Sequence, residues 1–196
     1  MDDIKSAREV AMEKVEKLGE ATEEERLKWK YVPQGEGLAA RYLKENLNLV
    51  VELNQYQKNV KRYIIKGAAE ILIRNISLPK NDLAKKNNRR AMDGLKALKS
   101  DKVSVENVYS KIRYLFNHYA EQGEQQREQA YQSLKTELEA KIQQAVQQQL
   151  GPLMGTKIDV EKQPQFQQEW RKIQTQLDSQ YLSHLDEYRR ELSDIE

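Results

Sequence analysis

Three features of the sequence predict an all-α fold. Apolar residues recur at helical spacing along most of the chain, only 8 Gly and 4 Pro punctuate its 196 residues, and a charged content of 33% stands beside 38% hydrophobic and 7% aromatic. Long helices with much of their surface in water have this balance, and a mean hydropathy of -0.90 agrees with it. The pattern predicts an elongated helical protein. A long antiparallel coiled-coil hairpin occupies 103–196, with its turn at 151–163, and a smaller helical region precedes it over 1–102.

In chain order, Ile4, Ala7, Ala11, Val15 and Leu18 step by three and four, which places them on one face of a first helix. Thr22 with Glu25 three residues later has the form of a capping box, in which each side chain satisfies an amide at the start of the next helix. That helix is expected to carry Leu27 and Trp29 and to end near Val32-Pro33, because the residue before a proline is pushed out of helical geometry. Gln34-Gly35-Glu36-Gly37 is then expected to turn the chain. A single long helix is expected from Leu38 through Tyr42, Leu47, Val50, Leu53, Val60 and Ile64. The stretch 62–77 is ambiguous, since its β-branched residues and Gly67 permit a hairpin while Ala68-Ala69-Glu70 favours helix. Helix is the expected outcome. Ser77-Leu78-Pro79 breaks the chain, and Leu83, Ala91, Leu95 and Leu98 mark a shorter helix after it.

From Ser104 the pattern lengthens. Val105, Val108, Ile112, Leu115 and Tyr119 share one face, and after Gly123 the stripe resumes through Tyr131, Leu134, Leu138 and Ile142. Gly151-Pro152 is expected to close this helix, and Pro164 suits the first position of the next. Phe166, Trp170, Ile173, Leu177, Tyr181, Leu185, Tyr188 and Leu192 then recur at steps of 4, 3, 4, 4, 4, 3 and 4. Such a seam belongs to helices that pack along their whole length. These eight residues are the candidate interaction surface, with Trp170 expected inside it.

Site chemistry is sparse. There is no Cys, which removes disulfides, thiolate metal sites and cysteine nucleophiles. The two His, His118 and His184, lack the Glu three residues earlier that a di-iron helix bundle requires, for those positions hold Leu115 and Tyr181. His184 with Asp186 or Glu187 would make one weak ligand pair. The string Gly151-Pro152-Leu153-Met154-Gly155-Thr156-Lys157 departs from a phosphate-binding loop in order and spacing, and no strand precedes it, so it reads as a turn. No catalytic, cofactor-binding or metal-binding residues are expected, and no cofactor.

Charge is segregated. The net is -3 over residues 1–56, +9 over 57–102 and -4 over 103–196, so two acidic flanks conceal a basic middle. Lys85, Lys86, Arg89, Arg90, Lys96 and Lys99 are its candidate polyanion contacts, supplemented by Lys58, Lys61, Arg62, Lys66 and Arg74 from the preceding helix. A basic face of this kind can follow nucleic-acid phosphates; the competing reading pairs it with the chain's own acidic flanks. Of 20 Gln, 17 fall between Gln122 and Gln180, giving the hairpin an uncharged polar surface suited to helix association. The amino terminus does not read as a secretory signal, and the apolar runs are far shorter than a bilayer span. The expectation is a cytoplasmic, non-enzymatic interaction protein acting through coiled-coil association with a protein partner or a second copy. Nucleic-acid association through 57–102 is the alternative, and membrane contact is not expected.

Overall fold

The computed structural model describes residues 21–45, 47–150 and 159–195. The expected first helix at 4–18 and the loop-like string 151–157 lie outside the described residues. Among those described, every regular element is helical: α1 (Glu23–Lys44), α2 (Leu49–Leu53), α3 (Lys58–Arg74), α4 (Asp82–Leu98), α5 (Lys102–Leu150), a short 3-10 turn (Val160–Lys162) and α6 (Pro164–Asp194). The chain is all-α, and α5 and α6 form the long antiparallel hairpin. It divides into two compact units, one holding residues up to Asn75 with Arg90–Ser100, the other Ile76–Arg89 with the residues from Asp101 onward.

In the first unit, α1 begins at the expected capping box. Thr22 Oγ1 accepts from the Glu25 amide at 3.2 Å, and Glu25 Oε2 accepts from the Thr22 amide at 2.9 Å. Those bonds hold the Glu25 carboxyl below its ordinary pKa, the backbone bond most strongly. The helix does not end at Pro33. It runs through Pro33, Gly35 and Gly37 to Lys44, which corrects the expected turn. Pro33 is exposed, so the carbonyl it leaves unpaired within the helix can turn to water, and the helix survives the lost bond.

The reason the glycines stand there is packing. A Cβ built on Gly35 would fall on the Ile64 carbonyl and lie 2.9 Å from Ile64 Cα; one built on Gly67 would fall on the Val32 carbonyl and lie 2.9 Å from its carbon. Helices α1 and α3 therefore cross backbone to backbone at a reciprocal pair of glycine notches. Ile64, Ala68 and Leu72 of α3 and Leu38 and Ala39 of α1 are buried. A Cβ built on Gly94, on the part of α4 in this unit, would meet the Tyr42, Leu49 and Leu72 side chains. The Arg90 guanidinium stacks 4.9 Å from the centre of the Tyr42 ring and donates to the Glu45 carbonyl, and Tyr42 OH donates to the Arg90 carbonyl at 3.2 Å.

The single helix expected from Leu38 to Ile64 is also corrected: it is three helices. Asn48 caps α2, its Oδ1 accepting from the Val50 amide at 3.0 Å and the Val51 amide at 3.3 Å. Asn54 follows its last residue. The Asn48 side chain thus takes up the backbone amides that open a new helix, whereas Asn54 Oδ1 accepts from Lys61 Nζ at 3.1 Å. Asn48→Ala is expected to cost about 1 kcal/mol of stability, read as a lower urea midpoint with an unchanged slope. The ambiguous stretch is helix to Arg74, closed by Asn75 Nδ2 donating to the Ile71 carbonyl at 2.8 Å.

In the second unit, Ile76 and Leu78 are buried and the extended strip 76–80 is held by side chains. Asn88, 3% exposed, accepts from the Ser77 amide at 2.8 Å and donates to the Ser77 carbonyl at 2.6 Å, satisfying both backbone groups as a paired strand would. Arg189 of α6 donates from Nε and Nη2 to the Ile76 carbonyl at 3.0 and 2.5 Å. Asp101 starts α5 by accepting from the Val103 and Ser104 amides and from Ser104 Oγ, and these bonds, that of Ser104 Oγ foremost, lower its pKa. The 49 residues of α5 span about 73 Å. Gly123 does not interrupt it.

Candidate functional site

The eight seam residues all lie on α6, the returning arm of the hairpin. Phe166, Tyr181, Leu185 and Leu192 are buried, whereas Trp170, Ile173, Leu177 and Tyr188 are half-buried. Near the turn, Phe166 joins Leu134, Leu138 and Val160 in a closed cluster, with Tyr131, Ile142, Trp170 and Ile173 packed on its edge. Tyr131 stands edge-on to both Phe166 and Trp170, with ring centres 5.2 and 5.1 Å apart. That geometry sets the positive ring edge against the negative face.

Lys135 Nζ meets Glu161 Oε1 at 2.6 Å beside this cluster. The Lys135 hydrogen bond, then that of Tyr131, lowers the Glu161 pKa, and the same pair raises that of Lys135. A depressed carboxylate stabilises the fold fully above its ordinary value of 4.5, and that stabilisation is lost as pH falls through the lower native value. Melting temperature should therefore fall with acidification from about pH 5 downward, and Glu161→Gln should flatten the slope in a pH series of thermal melts.

Midway along the hairpin the seam is interrupted by a polar layer in which Tyr119, Tyr181 and His118 meet Asp178 and Lys80, two residues that the spacing alone did not mark. Asp178 is 6% exposed, and its carboxylate accepts from Tyr119 OH at 3.0 Å and pairs with Lys80 Nζ at 2.6 Å. Burial, then the Asp178 charge, pushes the Tyr119 pKa up to about 12. Tyr119 thus stays a neutral donor. Tyr181 stands edge-on to Tyr119, and its hydroxyl shares a hydrogen bond with His118 Nδ1 at 3.0 Å. Gly123 makes room for this layer, for a Cβ there would meet Tyr181 Oη at 3.2 Å and Arg127 Nη1 at 3.1 Å. The sequence does carry a signal: Asp178 follows seam residue Leu177 and precedes Tyr181 by three, which places it on the inward face.

His184 pairs with exposed Glu187 at 3.5 Å, and among the described residues no three His, Asp or Glu side chains gather as metal ligands. Of the candidate polyanion contacts, Lys85, Lys86 and Arg89 are exposed in the second unit, with Lys85 3.2 Å from Asp82. Lys96 is exposed and Lys99 half-buried in the first unit, where Arg90 is engaged by Tyr42 and Glu45. No helix among the described residues is long and apolar enough to cross a membrane.

No curated protein and no solved structure matches the chain. A family model described as a family of unknown function (DUF6657) matches residues 50–194, most of the sequence and the whole described hairpin, and the chain belongs to that family.

Proposed function

We propose that this protein is a non-enzymatic, cytoplasmic helical interaction protein that works through coiled-coil association of its hairpin, with a second copy as the partner. The observation that carries the reading is the incomplete closure of the seam. Two helices can each cover only one stripe of the other, and Trp170, Ile173, Leu177 and Tyr188 stay half-buried beside their buried neighbours. The glutamine-rich flanks add polar, uncharged surface, which dilutes the repulsion between two hairpins that each carry a net charge of -4 over 103–196. Multi-angle light scattering over a wide concentration range tests this: a dimer or higher species is expected, and a strict monomer at every concentration would end the proposal.

A second reading is nucleic-acid association through the basic stretch 57–102. It draws support from the exposure of Lys85, Lys86, Arg89 and Lys96. Binding to mixed-sequence DNA or RNA that weakens steeply with salt is its expected signature, and absence of binding at low salt would dismiss it.

A further inference from the structure

A cleft of about 650 Å³ opens in the second unit where the 79–85 segment, α5 and α6 meet. Tyr119 and Asp178 form part of its wall, and Lys80, Lys85, Arg127 and Arg171 bring four cations to it. Lys80 and Asp178 neutralise each other at 2.6 Å. The two arginines are differently placed. Arg127 lies with its guanidinium carbon 4.3 Å from the centre of the Tyr119 ring and donates only to the Tyr119 carbonyl, at 3.3 Å; Arg171 donates only to the Gln167 carbonyl, at 3.1 Å. Neither has a carboxylate partner among the described residues. Gln174, half-buried in the same wall, makes no hydrogen bond to them either. Lys85 is 3.2 Å from Asp82, and the carboxylate left at the cleft is Glu124, exposed at the rim.

Two guanidinium groups that line one cleft from α5 and α6, each with N–H groups to spare, offer donors to an anion there. A planar carboxylate is matched by one fork, whereas a phosphate group carries enough oxygens to accept from both helices at once, with Lys85 and Gln174 beside them. The volume exceeds that of a bare phosphate and lies in the range of small-molecule sites. We infer that this cleft binds the phosphate group of a phosphorylated small molecule, with Arg127 and Arg171 as its principal ligands. None of the eight seam residues lines the cleft.

Isothermal titration of the full chain with inorganic pyrophosphate, at ionic strength held constant with sodium chloride, tests the inference. Saturable binding with one pyrophosphate per chain is expected, with affinity falling about tenfold or more in both Arg171→Gln and Arg127→Gln. Arg171 is exposed, so its variant should retain the helical circular dichroism signal. Arg190→Gln, on the exposed surface of α6 away from the cleft lining, and Lys86→Gln on α4 should bind as the parent does. Absence of binding to about 10 mM would overturn the inference. So would equal affinity in the two cleft variants and the parent, or an equal loss in Lys86→Gln, which would assign the effect to diffuse charge.

Discussion

Gly35→Ala and Gly67→Ala should each destabilise the first unit by about 3 kcal/mol or more, although alanine is the better helix former. Propensity alone gives the opposite sign, with a gain of about 0.5–1 kcal/mol for replacing a helical glycine. Packing wins because each new methyl falls on backbone of the opposite helix, the Ile64 carbonyl in one case and the Val32 carbonyl in the other. A flexible side chain could swing aside; two helix backbones can only separate. Separation would loosen the buried contacts of Leu38, Ala39, Ile64 and Ala68. Gly37 is the internal control, since nothing lies within 4 Å of its added Cβ. Gly37→Ala should stabilise by about 0.5–1 kcal/mol. Urea denaturation of the three variants reads the result, and a gain at all three would show that α1 and α3 do not cross in this way.

Phe166→Ala is expected to cost about 3–5 kcal/mol, the largest loss from truncating any one side chain of the hairpin. Phe166 is 1% exposed and fills the cluster formed by Leu134, Leu138 and Val160. Its removal deletes the edge-on contact with Tyr131 as well as the buried area. Trp170→Ala removes a larger side chain yet should cost less, because Trp170 is only half-buried and solvent can take up part of the space. The order of the two losses is the informative result. A greater loss at Trp170 in the monomer would place the centre of the hairpin core at that ring. A greater loss that appears only at concentrations where the protein associates would instead support the half-covered seam as an interface.

The steps of three and four from Phe166 to Leu192 were sufficient to find α6 and its inward face, because a helix converts sequence spacing directly into direction. The same local logic located the Thr22–Glu25 cap, the proline at the start of α6 and the run of α5. It failed where one residue type serves two purposes. Gly35 and Gly67 read as a turn and a hairpin signal, since sequence shows a glycine's freedom without the helix that presses against it. Pro33 read as a terminus, since the cost of its missing hydrogen bond depends on whether the freed carbonyl reaches water. Asn48 and Asn54, by contrast, were local signals for breaking the expected long helix and were outweighed by the apolar spacing around them. The charge on Arg127, Arg171, Lys80 and Asp178 was plain in the sequence, but their convergence was not, for it joins residues dozens of positions apart.

What the sequence alone determined was the helical character of the chain, the reversal of direction in the hairpin and which face of α6 turns inward. The first and third follow from periodicity, which is a property of neighbours three and four residues away, and the reversal follows from the shortness of the connection at 151–163. What only the tertiary structure decided was the meaning of the glycines and the gathering of arginines around a cleft. Both depend on how near one helix comes to another, a distance set by packing between segments remote in the chain.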